Sequence, residues 1–185
     1  MARTEVRLTG FGGQGIILAG YILGKAAALY DKKHSTFTQS YGPESRGGAC
    51  AAQVILSDEP VQYPHLLDPS VVVIMSQEAY NKYAPTLRAG NKLLVDENLV
   101  ILGKLPEGVK VYAIPSTRIA ETEIGRKMVA NIVMLGFLTS VAGVVTEDSM
   151  RRAVTESVPK GTEELNMKAF QAGLDHGRKL LESEA

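Results

Sequence analysis

The sequence predicts an α/β fold with a mainly parallel sheet flanked by helices, and three observations carry that prediction. Segments rich in β-branched residues alternate along the chain with segments whose apolar residues recur at helical spacing. The run Val71-Val72-Val73-Ile74-Met75 is apolar without a break, as a central strand covered on both faces requires. A glycine turn, GFGGQG over residues 10–15, joins the first strand to the first helix in a Rossmann-like arrangement.

Each element follows from local chemistry. Glu5 to Gly10 alternates in polarity and predicts the first strand; Ile16 to Tyr30 predicts the first helix, stopped by Asp31-Lys32-Lys33. His34 to Gly42 predicts a second strand and Ala49 to Asp58 a third, with the breaker-rich loop GPESRGG between them. Pro69 to Ser76 is the buried strand, and Ser76 is placed to cap a helix over Gln77 to Leu87. Asn91 to Glu97 and Val109 to Pro115 predict two more strands. Ser116 or Thr117 is placed to cap the short helix that follows. Glu147 to Ser157 predicts a helix broken by Pro159-Lys160-Gly161, and Thr162 is placed to cap a last amphipathic helix.

Met128 to Thr146 carries no charge and approaches the length of a membrane span. It includes Asn131, Thr139, Ser140 and two glycines, so a helix enclosed by protein on all sides is the expectation. The 185 residues suit one domain over residues 1–185. Zero net charge argues against nucleic acid and membrane surfaces as partners, and four phenylalanines with no tryptophan argue against a base-stacking platform. No apolar leader run opens the sequence, which points to the cytoplasm. One cysteine, Cys50, and three dispersed histidines leave no metal-ligand pattern and too few thiolates for an iron–sulfur cluster.

Two constellations suggest a site. In the glycine turn, Gly10 permits the tight bend, Gly12 and Gly13 let a ligand approach the backbone, and Gly15 permits close helix–strand packing. The helix beginning near Gln14 presents unpaired N–H groups suited to an anion. A dinucleotide site also needs an acidic residue at the end of the second strand, where this chain has Gln39, Ser40 and Tyr41. A turn that only packs a helix on the sheet is the competing reading. The second constellation is the loop with Tyr41, Ser45, Arg46 and Gly47. Its guanidinium can bind a carboxylate or phosphate through paired hydrogen bonds, or clamp Glu44 and shape the loop. Both loops follow strands and are expected at one sheet edge. Outside them, Cys50 reads as a small buried hydrophobe, Asn131 as a polar group needing a partner, and His65 as part of a surface turn. The terminal helix charges, such as Glu164 and Lys179, read as a solvated face.

The paired motifs GFGGQGIILAGYILGKAA and QSYGPESRGGACAAQVILSD resemble the gamma subunit of the 2-oxoacid:ferredoxin oxidoreductases. The form YGPESRGG looks most similar to the 2-oxoglutarate members. The resemblance covers nearly the whole chain. It implies a complete enzyme that decarboxylates a 2-oxoacid on thiamine diphosphate, transfers the acyl group to coenzyme A and reduces ferredoxin through iron–sulfur clusters. It implies alpha, beta and ferredoxin-like delta subunits as partners, with a homodimer an option for the isolated chain. The chain lacks a thiamine-diphosphate signature, so those cofactors are expected on partner chains, with none bound by this chain alone. The resemblance leaves Gly12, Gly13, Gln14, Gly15, Tyr41, Ser45, Arg46 and Gly47 as candidates for contact with coenzyme A at a subunit interface, and names no catalytic residue. A separate nucleotide-binding module and a purely architectural subunit are the alternatives.

Overall fold

The computed structural model describes residues 3–41 and 49–184, and six strands there form one sheet in the order β2-β3-β1-β4-β5-β6. Their spans are β1 Arg3–Phe11, β2 His34–Tyr41, β3 Ala49–Ser57, β4 Val71–Ile74, β5 Lys92–Asp96 and β6 Lys110–Ile114. β1, β4, β5 and β6 run parallel, whereas β3 is antiparallel to both β1 and β2. The short link between β2 and β3 explains this departure from a parallel sheet. A parallel crossover needs a dozen or more residues, and only seven lie between Tyr41 and Ala49. β2 therefore runs parallel to β1 with β3 inserted between them.

The helices are α1 Ile16–Lys25, α2 Gln77–Tyr83, α3 Ser116–Thr122, α4 Ala130–Ala142, α5 Glu147–Ser157 and α6 Glu163–Ser183. The first predicted helix is two pieces: α1 runs into a π-helical turn over Ala26–Tyr30. Alternation places Val6, Leu8, Val54 and Leu56 on the sheet face covered by α1, α4 and α6. On the opposite face, Val72, Ile74, Leu93 and Val95 pack with Ala79 and Tyr80 of α2. β4 buries all four of its residues, as its sequence requires.

The uncharged run becomes α4, an almost wholly buried helix shorter than the run itself, which ends at Gly143. Among the described residues no helix is long and apolar enough to cross a membrane. Two hydroxyls of this helix bond locally: Thr139 Oγ1 donates to Leu135 O at 2.7 Å and Ser140 Oγ to Phe137 O at 3.0 Å. α4 and α6 approach so closely that a Cβ on Gly136 or Gly173 would lie within 3.0 Å of the facing backbone. Their apposition is an enclosed helix pair, which needs no lipid.

The capping expectations divide. Ser76 caps α2 by accepting from Ala79 N at 3.2 Å. Ser116 and Thr117 do not cap α3, whose boundary residue is Pro115. Their hydroxyls donate instead to Asp96 at the end of β5, at 2.6 and 2.5 Å, and Thr117 N donates to the same oxygen at 2.9 Å. A buried carboxylate from another strand thus holds the helix start, where it also meets the positive end of the helix dipole. Thr162 occupies the boundary of α6 without a capping bond; its hydroxyl donates to Pro159 O at 2.7 Å.

Candidate functional site

The carboxyl ends of β1, β2, β4, β5 and β6 share one edge of the sheet, the edge at which open α/β sheets bind ligands. Gly10 at the end of β1 and Tyr41 at the end of β2 both lie opposite Cys50 of β3. The glycine turn and the stems of the 42–48 loop therefore meet at this rim. Tyr41 is exposed, with its hydroxyl donating to Gln39 Oε1 at 3.3 Å. Ser45, Arg46 and Gly47, together with Glu44, lie outside the described residues.

The structure assigns the glycines different duties from those the spacing suggested. Gly10 is still in the strand, and its missing Cβ leaves room for the side chains of Gln14 and Ile16. The bend falls at Gly13, whose φ of +93° L side chains rarely adopt. Gly15, at φ +72°, starts α1 and takes its close contact from Asn131 of α4. The close helix–strand approach lies a turn later, at Gly20 over Ala52 of β3.

Gln14 braces the turn. Its Oε1 accepts from Phe11 N at 2.6 Å and its Nε2 donates to Met75 O at 2.9 Å, tying the end of β1 to the end of β4. Its amide is thus engaged inside the protein, with oxygen and nitrogen both bonded. On the other side Asn131 Nδ2 donates to Gly15 O at 3.1 Å. Between these fixtures Gly12 and Gly13 remain exposed, and no side chain caps α1. The outward-facing part of the turn is backbone at a helix N-terminus, an arrangement that suits phosphate.

Two clefts flank this backbone. One of about 300 Å³ runs along Gly13, Gln14, Met75, Leu99, Thr117 and Lys127. The other, about 250 Å³, is floored by apolar side chains of α1, α4 and α6 and edged by Gly13, Arg126 and Met128. Among the described residues neither lining includes an aspartate or glutamate, and each has an exposed cation at its border, Lys127 or Arg126. Both clefts thus have a cation at the border although the chain is neutral overall. Arg126, Lys127 and Met128 were missed in reading the sequence. Their one signal is a short basic step, Gly125-Arg126-Lys127, just before the uncharged run.

Large apolar side chains gather at the same rim. Ile101 and Met128 are each 82% exposed, and Phe11, Tyr41 and Leu102 are also open. Ile101 is held through its backbone: its N–H donates to Gln77 Oε1 at 2.7 Å, and its carbonyl accepts from Gln77 Nε2 at 3.3 Å. Exposed apolar side chains grouped in this way mark surfaces that meet another protein. Cys50 is buried, and burial pushes its thiol above the usual value, away from nucleophilic service. His65 lies in an exposed turn, edge-on to Tyr63. Among the described residues no His, Cys, Asp or Glu cluster could hold a metal ion.

The fold and rim define an α/β protein built to present a glycine turn and an apolar border at the carboxyl edge of its sheet. Residues 5–176 match the pyruvate ferredoxin/flavodoxin oxidoreductase family, and the chain belongs to it. A curated relative, the 2-oxoglutarate synthase subunit KorC of Methanocaldococcus jannaschii, is 54% identical over 179 residues, covering 96% of each chain. The keto/oxoacid ferredoxin oxidoreductase gamma subunit of Geobacter sulfurreducens superposes with a TM-score of 0.84 at 41% identity, over 95% of this chain and 99% of that one. The fold also recurs within a longer polypeptide. The 2-oxoglutarate:ferredoxin oxidoreductase of Magnetococcus marinus matches with a TM-score of 0.88 at 23% identity, over 97% of this chain and 32% of that one.

Proposed function

We propose that this chain is the gamma subunit of a 2-oxoglutarate:ferredoxin oxidoreductase and that its carboxyl rim forms the coenzyme A side of an active centre shared with partner subunits. The observation that carries the enzyme assignment is the end-to-end match, 54% identity across 96% of both chains, to a 2-oxoglutarate synthase subunit. Thiamine diphosphate and the iron–sulfur clusters belong to the alpha, beta and delta partners. A chain with one cysteine has no ligand set for a cluster.

The described residues fit a phosphate-bearing ligand. The uncapped start of α1 and the exposed Gly12–Gly13 backbone offer N–H donors, and Arg126 and Lys127 add positive charge beside clefts lined without acids. Ser45, Arg46 and Gly47, which lie outside the described residues, are proposed as further contacts, together with Tyr41 at the end of β2. Gln14 and Gly15 serve by fixing the turn rather than by touching the ligand. In this role the chain orients coenzyme A and helps exclude water, while ferredoxin receives the electrons from the complex. The exposed apolar rim supports a hetero-oligomer, which we place in the cytoplasm.

The test is Arg46→Ala in the enzyme reconstituted from all subunits. A raised Michaelis constant for coenzyme A with unchanged assembly supports the reading. Loss of co-purification, with normal kinetics in whatever complex remains, overturns the ligand role. One observation favours that architectural alternative: Gln14 and Gly15 are already accounted for by internal bonds.

A further inference from the structure

We propose that Asn131 is a positioning residue for the glycine turn, fixing the direction in which the start of α1 presents its N–H groups. The inference rests on the proposed reading of that turn as an anion-binding element. Asn131 lies in the first turn of α4, 3% exposed, in a helix that carries no charged residue. A carboxamide in such surroundings costs free energy unless it is bonded. Its bond is to a specific atom, the carbonyl of Gly15, at 3.1 Å.

That carbonyl belongs to the residue that begins α1, and it also accepts the first helical bond, from Ala19 N at 2.9 Å. The peptide unit is planar, so holding the Gly15 oxygen fixes the Ile16 N–H, which points the opposite way, out of the helix start. The contact is close enough that a Cβ on Gly15 would lie within 3.0 Å of the Asn131 amide. Gln14 fixes the other side of the turn through Phe11 N and Met75 O. Gly12 and Gly13 therefore lie in a segment pinned at two points. Asn131 also borders the cleft shared by Gly13 and Arg126, which puts its role at the ligand side of the turn. A donor aimed at the first carbonyl of a neighbouring helix fixes that carbonyl's direction, which an apolar side chain could not do.

The experiment uses the reconstituted enzyme carrying Asn131→Leu, which keeps the size and removes the donor without adding charge, and in parallel Asn131→Ser, which is too short to reach Gly15 and fits within the existing space. Positioning predicts a Michaelis constant for coenzyme A raised about five- to tenfold, the size of one hydrogen bond. The constant for 2-oxoglutarate stays at the parent value. A lowered melting temperature with the coenzyme A constant within about twofold of the parent, in either assembled variant, overturns the inference. Arg46→Ala separates the two levels. If it raises the coenzyme A constant while the Asn131 variants do not, positioning fails alone. If neither Arg46→Ala nor the Asn131 variants move that constant, the anion-binding reading fails and the inference with it.

Discussion

Gln14 Nε2 donates to the carbonyl of Met75 at 2.9 Å, so a residue from the glycine turn after β1 fastens the end of β4. The same side chain accepts from Phe11 N, which makes it a bracket between two neighbouring parallel strands. Gln14→Leu removes both bonds and leaves two backbone groups without partners. It is expected to cost about 1–3 kcal/mol, measured by denaturant unfolding of the isolated chain. Gln14→Glu keeps the acceptor and loses the donor, so a smaller loss distinguishes the two bonds.

Asp96 is fully buried, and its carboxylate accepts from Ser116, Thr117 and, through the other oxygen, Asn98 N at 3.0 Å. Asp96→Ala strands these donors at the end of β5 and at the start of α3. A loss of about 3 kcal/mol is expected from the unfolding midpoint, among the larger effects for a single position. Thr117 borders the cleft beside Gly13, so the variant also disturbs the rim.

Gly173→Ala tests the α4–α6 packing. A Cβ there would collide with the carbonyl of Val133, a backbone atom that cannot swing aside as a flexible side chain can. The helices must separate, which costs about 3 kcal/mol or more and is read by thermal melting. Gly161→Ala, at a position where a Cβ meets nothing but φ is positive, is expected to cost about 1 kcal/mol. The contrast separates collision from backbone strain.

Asp31 supplies a pH-dependent contribution. Burial by itself raises its carboxyl, but hydrogen bonds from Ser149 and from the Thr146 hydroxyl and N–H, with Lys33 nearby, outweigh burial and hold it below the usual value. A depressed carboxyl stabilises the fold above its unfolded pKa, about 4, and that stability is lost as pH falls through the lower folded value. Asp31→Asn is therefore expected to be less stable than the parent at neutral pH, by about 1–2 kcal/mol. The difference shrinks below about pH 4 in urea titrations at successive pH values. A gap that does not narrow on acidification contradicts the assignment.

Much of the architecture was legible because the relevant forces are local. Strand alternation, the apolar β4 and the Ser76 cap depend on a few adjacent residues, and the observed elements fall within or close to the spans they predict. The candidate rim was legible in part, since both motifs follow strands whose ends converge. Local spacing could not tell that the bend falls at Gly13 and not at Gly10, that Ser116 and Thr117 turn to Asp96, or that Arg126 and Lys127 border the same clefts as Gly13. Those relations join residues far apart in the chain.

By itself the sequence determined the α/β class, the buried character of the uncharged helix, the unsuitability of one cysteine for cluster chemistry, and the family likeness carried by two motifs. Each of these depends on residue type and near-neighbour spacing, which folding does not alter. Only the tertiary structure decided that β3 runs antiparallel between β1 and β2, that Gln14 and Asn131 hold the glycine turn from opposite sides, and that basic and apolar residues from separate segments edge one rim. Hydrogen bonds and steric contacts act over a few ångströms of space, whatever the number of residues between the partners, and it is the sheet order that brings those partners within reach.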